Sequence, residues 1–181
     1  MIGIDEAGRG AWAGPLVAAA VFLQSPIVGL TDSKLLTRLQ RIKLAEEIRN
    51  SALVGIGWVS PVEIDELGLT AATSLAMEQA LAQIKHQDIE IIIDGHLNYL
   101  PKFANVKTLI RADLLVPAVS AASIVAKVAR DQFMTEIAQK FPKYGFEKHV
   151  GYGTRLHQDM LKSHGICELH RKSYRPVKIY L

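Results

Sequence analysis

A single cysteine, Cys167, in 181 residues leaves no partner for an internal disulfide and excludes a cysteine zinc cluster, which fits a reducing compartment. No apolar run reaches the roughly 18 residues that a membrane span needs. The start, Met1-Ile2-Gly3-Ile4-Asp5-Glu6, meets charge at once and has no basic region leading into an apolar stretch, so it does not read as a secretory signal. Internal repeats, low-complexity stretches and dividing linkers are also missing. What is there is 49% hydrophobic and 22% charged residues, the balance of an ordinary globular chain with one sizeable core. The expectation is one cytoplasmic domain over residues 1–181, with no membrane association.

Net charge is only +3, but it is unevenly placed. The stretch from Lys140 to Leu181 carries a net +6, against −3 for residues 1–139. Four of the six histidines (His149, His157, His164 and His170) also lie in this basic region. A basic face of this kind attracts a polyanion. A solvated basic helix surface is the plain alternative.

Ile2 and Ile4 alternate with Gly3 and Asp5, a short strand entering a glycine-rich turn. Leu16 to Leu23 is a nearly unbroken apolar run, a strand buried on both faces. Leu39, Ile42, Leu44, Ala45 and Ile48 have helical spacing between Thr37, a suitable N-cap, and Ala52; Leu53 to Val59 follows as a strand. Ser60-Pro61-Val62-Glu63 is a helix-start signature with a capping box. A helix over about Leu69 to Ile84, strands at Ile89–Ile93 and Val106–Ile110, and a long helix over Pro117–Lys140 come next. The last forty residues predict one short helix near Arg155–Ser163 and a tail of no clear type. The sum is a mixed α/β sheet with helices packed on it.

Acids stand at three strand ends: Asp5 and Glu6, Asp94, and Asp113. Buried carboxylates need a compensating cation. Adjacent strands lie about 4.8 Å apart, so four such acids can converge on one point. Hard oxygen donors in that number suit Mg²⁺ or Mn²⁺ rather than zinc. Two ions about 4 Å apart would serve phosphodiester hydrolysis. Taken one at a time, each acid reads equally as a turn residue or a helix cap.

Asp5-Glu6-Ala7-Gly8-Arg9-Gly10, running on through Ala13-Gly14-Pro15 to Val21, resembles the opening signature of bacterial ribonuclease HII, the type 2 ribonuclease H. Further matches follow in order. They are Thr31-Asp32-Ser33-Lys34, Ile93-Asp94-Gly95, Ala112-Asp113, Ser120 to Ile124 with Ala126-Lys127-Val128, Arg130-Asp131, Gly151-Tyr152, and His170-Arg171-Lys172-Ser173 with Pro176-Val177. The resemblance implies an RNase H-like mixed β-sheet flanked by α-helices, with a small helical C-terminal region over about residues 140–181 that binds substrate. It implies a monomeric endoribonuclease acting on RNA/DNA hybrids and on duplex DNA containing ribonucleotides, leaving 3′-hydroxyl and 5′-phosphate ends.

Carried over residue by residue, the resemblance makes Asp5, Glu6, Asp94 and Asp113 the catalytic, metal-binding carboxylates for two Mn²⁺ or Mg²⁺ ions, with Asp5 bridging. Gly8, Arg9 and Gly10 would contact the 2′-hydroxyl at the RNA–DNA junction, the group that tells RNA from DNA. Glycines beside Arg9 let the backbone approach a sugar, and Tyr152 would pack on the neighbouring deoxyribose. Ser33, Lys34, Ser123 and Lys127 are candidate phosphate contacts. Asp131 reads as structural, a partner of Arg130 or a helix end.

The chain departs from the family pattern in places. Ala11-Trp12 replaces Pro-Leu, Leu35 a second lysine, Arg111-Ala112-Asp113 the commoner Lys-Gly-Asp, and Gly153 a frequent proline. These departures bear on substrate affinity and leave the carboxylates untouched. Two rival readings are a ribonuclease HIII-type hybrid nuclease, for whose extra N-terminal domain the chain has no room, and a non-catalytic nucleic-acid-binding module. Against the second, acids repel the phosphates that a pure binder must approach.

Overall fold

The computed structural model describes residues 1–181 apart from Asp32, Lys34, His86 and Gln87. Strands β1 (Ile2–Ala7), β2 (Leu16–Leu23) and β3 (Ala52–Val59) form an antiparallel meander. Strands β4 (Ile91–Asp94) and β5 (Val106–Leu109) extend it parallel to β1, in the order β3-β2-β1-β4-β5. The helices are α1 (Arg38–Ser51), α2 (Pro61–Leu67), α3 (Leu69–Leu81), α4 (Ala112–Leu115), α5 (Pro117–Ile137), α6 (Phe146–His149), α7 (Arg155–His164) and α8 (Arg175–Lys178). None among the described residues is long and apolar enough to cross a membrane.

The sheet is covered on both faces, which explains why β2 is apolar throughout. Ala18 and Ala20 join Ile2 and Ile4 against Ala72, Ala76, Met77 and Ala80 of α3. Ala19 and Val21 face Ala121, Ile124 and Val125 of α5, with Ala45 and Ile48 of α1. Small residues bring the layers close. A Cβ on Gly57 of β3 would stand 1.9 Å from the Ala76 carbonyl oxygen, and one on Gly3 of β1 2.2 Å from the Ala118 backbone. The exposed backbone of edge strand β3 is met by α3 and the turn after it: Gln79 accepts from Trp58 N–H, and Gln83 bonds both the N–H and the carbonyl of Ile56. Such pairing blunts an edge that would otherwise recruit another strand.

The expected mixed α/β sheet, the Thr37 N-cap and the Ser60 capping box are present, and Thr37 closes a capping box of its own with Gln40. The Ser60 signature starts its own helix, α2, and Gly68 at φ 78° separates it from α3. Asp113 lies in the short helix α4 after β5 rather than at a strand end. The C-terminal region holds two more short helices than expected, α6 and α8, each of four residues. Helices that short have no periodicity to read. Phe146, Tyr144 and Leu161 from this region pack with Met134 of α5 and Ala13 of the glycine-rich turn, so it forms a cap over the end of β1.

Candidate active site

The register places the acids. Ile4 of β1 pairs with Ile93 of β4, so Asp5 and Asp94 come next on adjacent strands. Alternation sends Asp5 toward α5 and Glu6 toward the α3 side. Asp5 is buried, accepts the Glu6 N–H at 2.8 Å and bonds Ser123 of α5. Glu6 meets Arg9 at 3.4 Å, and its other oxygen, Oε2, is buried without a hydrogen-bond partner. Asp94 accepts the Ala112 N–H at 2.7 Å, which ties β4 to the turn that carries the buried Asp113. Burial first, and then the charge of Glu6, push the Asp5 carboxyl well above its usual range. Burial also raises Glu6, against the pull of Arg9.

Among the described residues, no three acid, histidine or cysteine side chains are gathered closely enough to chelate an ion as they stand. The carboxylates are nevertheless an electrostatically frustrated set, since Glu6 and Asp94 both raise Asp5. A buried carboxylate oxygen with no donor, in a set of hard oxygen ligands, fits a divalent cation of the Mg²⁺ or Mn²⁺ kind.

The remaining candidates divide. Ser33 and Ser123 are buried, with their hydroxyls 3.0 Å apart, and Ser123 bonds Asp5. Lys34 lies outside the described residues. Lys127 bonds Asp131 at 2.8 Å, making Lys127 rather than Arg130 the partner of that acid. The Lys127 ammonium also stands 5.5 Å from the centre of the Tyr152 ring, and the Arg130 guanidinium 5.3 Å. Gly8 has φ 94°, and a Cβ there would meet Arg130 at 2.1 Å; its lack of a side chain serves the interior. Gly10 has open space where its Cβ would be, so the backbone is approachable on that side.

Two buried arginines that the sequence reading left out of the site hold this turn. Arg130 donates to the carbonyls of Ala13, Pro15 and Val150 at 2.9–3.0 Å. Arg171 donates to the carbonyls of Arg9 and Gly14 and to the Tyr174 hydroxyl. The Gly151 carbonyl accepts from the Trp12 and Ala13 amides, so the Gly8–Pro15 turn and the Tyr152 turn are stitched together. Both guanidiniums bind carbonyls far apart in sequence, and nothing in residue spacing signals that. Two departures from the family pattern also explain each other. A Cβ on Gly153 would stand 2.2 Å from the Trp12 ring, so Trp12 requires glycine at 153.

Beneath this turn His149, His157 and His170 form a buried imidazole cluster. Burial pushes His157 and His170 down to about 4, and lowers His149 as well. The imidazoles are therefore neutral at ordinary pH. Below about pH 6.5 the unfolded chain takes up protons that the folded chain refuses until about pH 4. Stability from this cluster is thus full above that window and lost through it. The melting temperature is expected to fall by several degrees between about pH 7 and about pH 4.5. A flat profile in thermal melts would mean that the rings are already charged in the fold.

The sequence matches the family model described as Ribonuclease HII over residues 2–177. It is 48% identical to the ribonuclease HII of Shewanella loihica over 184 residues, covering 97% of this chain and 87% of that one. Among solved structures it superposes on the ribonuclease HII of Archaeoglobus fulgidus, solved in complex with PCNA, with TM-score 0.82 and 28% identity over 96% of this chain and 94% of that one. Ribonuclease H2 from Pyrococcus horikoshii gives TM-score 0.79 at 27% identity, covering 99% and 95%.

Proposed function

The chain belongs to the ribonuclease HII family, and from that membership we propose that it hydrolyses the RNA strand of RNA/DNA hybrids and cuts 5′ of ribonucleotides embedded in duplex DNA. Endoribonuclease action of the ribonuclease H2 type is common to its relatives. The single-ribonucleotide preference, the 3′-hydroxyl and 5′-phosphate ends, and the use of two Mn²⁺ or Mg²⁺ ions are the finer parts of this reading.

The observation that carries it is the carboxylate centre. Asp5 lies buried and Glu6 partly buried beside Asp94 and the Asp113 turn, and Glu6 Oε2 has no donor. In this reading Asp5, Glu6, Asp94 and Asp113 hold the ions, which when bound would activate the attacking water and stabilise the leaving oxygen. Ser123 and the Glu6 N–H both hold the Asp5 carboxyl in place. Gly10 lets the backbone of the Gly8-Arg9-Gly10 turn approach the 2′-hydroxyl, while Arg171 fixes that turn by its Arg9 carbonyl. Tyr152, half-buried against Lys127 and Arg130, meets the next sugar where a 2′-hydroxyl is missing. The basic region after Lys140 supplies phosphate contacts that fix register without reading sugars.

The test is the cut position on a duplex holding one ribonucleotide, with Mn²⁺ or Mg²⁺ and then with a chelator. A single cut 5′ of the ribonucleotide, abolished by the chelator, is the expected result; cleavage spread over plain DNA would reject the reading. Tyr152→Ala is expected to lower single-ribonucleotide turnover about tenfold or more, with plain-duplex affinity within about twofold. Equal losses in both would make Tyr152 a residue of the fold.

A further inference from the structure

Tyr152 is held through its backbone by two of the three buried histidines, by the main chain of one and the ring of the other. Its N–H donates to the His149 carbonyl at 2.9 Å, and its own carbonyl lies 3.0 Å from His157 Nδ1. A carbonyl only accepts, so His157 carries its proton on Nδ1, and Nε2 is then an acceptor. His170 Nε2 lies 3.0 Å from it and must donate. His170 in turn accepts at Nδ1, where the Cys167 N–H stands at 2.9 Å, closer than the Cys167 carbonyl at 3.2 Å. The hydrogen bonds therefore run one way, from the Cys167 amide through His170 and His157 to the Tyr152 carbonyl. His149 stacks on His157 at 4.4 Å and 15°, with its nitrogens bonded to the Gly151 N–H and the Tyr144 carbonyl.

The turn that these rings hold is strained. Val150 sits at φ 43°, ψ 37°, a left-handed conformation that a β-branched side chain disfavours. Gly151 follows at φ 83°. A second donor, the Thr154 N–H, also reaches the Tyr152 carbonyl, at 2.8 Å, but comes from Tyr152's own turn. His157 ties that carbonyl to the C-terminal cap. An apolar residue would fill the space of His157 as well, yet leave this tie unmade.

We infer that His157, fixed by His170, is a positioning residue that sets Tyr152 for discrimination at the ribonucleotide junction. The inference rests on the reading of Tyr152 as the residue that meets the junction sugar. Two isosteres separate it from a role in packing alone. Asparagine places its amide near Nδ1 and keeps the donor to Tyr152, whereas glutamine places it near Nε2 and keeps only the contact to His170.

The experiment measures turnover and KM on a one-ribonucleotide duplex, at a temperature where melting curves show each variant folded. His157→Gln is expected to lower kcat about tenfold with KM within about twofold, and His157→Asn to stay within about threefold. On a Tyr152→Ala background, His157→Gln should add nothing beyond about twofold. Equal losses for Gln and Asn, or losses that multiply in the double variant, would overturn the inference. An impaired Tyr152→Ala with an undamaged His157→Gln overturns it alone, whereas an undamaged Tyr152→Ala overturns the Tyr152 reading itself. Should His157→Gln not fold, the mirror pair answers. His170→Gln keeps the donor toward His157 and should be mild, while His170→Asn should show the tenfold loss; the reverse order would sink the inference.

Discussion

Asp5→Asn is expected to cut ribonucleotide-directed cleavage by about a thousandfold while raising the melting temperature by several degrees. The two effects share one cause. Asp5 is buried beside Glu6 and Asp94, and burial and those charges all oppose its ionisation. Asparagine keeps the shape and relieves that repulsion, so the fold gains what the negative charge had cost. The same substitution removes the anion that would share a cation with its neighbours, and several kcal/mol of transition-state stabilisation go with it. The measurements are turnover at saturating Mn²⁺ or Mg²⁺ and a thermal melt without metal. Near-normal turnover would remove Asp5 from the catalytic centre. A lowered melting temperature would show that its bonds to Ser123 and the Glu6 N–H outweigh the repulsion.

Much of this arrangement was legible in the chain because it is carried by local signals. The N-cap at Thr37, the capping box at Ser60, the proline that begins α5, and the doubly buried run of β2 each depend on residues within one element. The acids stood out because carboxylates after apolar strands need a reason. That the strands carrying Asp5 and Asp94 are neighbours came only with the parallel pairing of β1 with β4, which joins segments some ninety residues apart. A strand's pattern states which face is buried and not which strand lies beside it.

The supports of the site were hidden for a different physical reason. Arg171 and the three histidines read as parts of a basic surface, and Arg130 as a partner of Asp131, because charge and hydrogen-bonding capacity ordinarily seek water. Here they are buried, and all but His170 bond to backbone carbonyls. Carbonyls belong to every residue, so no side-chain motif announces the partner. Gly8 reads as a place where substrate comes close, and its neighbour is Arg130 from within. The mutual fit of Trp12 and Gly153 likewise joins two departures that are independent on the page of sequence.

That distinction between buried and exposed cations gives the second large effect. Arg171→Gln is expected to lower the melting temperature by about 10 °C, and Lys172→Gln with Arg175→Gln to leave it within about 2 °C. Arg171 is fully buried, with its guanidinium on the carbonyls of Arg9 and Gly14 and on the Tyr174 hydroxyl at 2.8–3.1 Å. Its burial lowers its pKa, so it holds its charge at some cost, and glutamine would be relieved of that. The relief is the smaller effect. Glutamine is too short and has too few donors to reach both carbonyls; the Gly14 carbonyl is left bare, at about 1–3 kcal/mol, and the Arg9 carbonyl keeps only the Tyr174 hydroxyl. Because one of those carbonyls belongs to Arg9, cleavage should fall with stability. Lys172 and Arg175 are exposed, and the backbone N–H of Lys172 is held by Asp65. Losing them should flatten the log–log salt dependence of duplex binding by up to about 0.9 for each phosphate released. Salt titrations and melts of the two variants decide the matter. A flattened salt slope in Arg171→Gln at an unchanged melting temperature would place that side chain on the nucleic acid instead of under the turn.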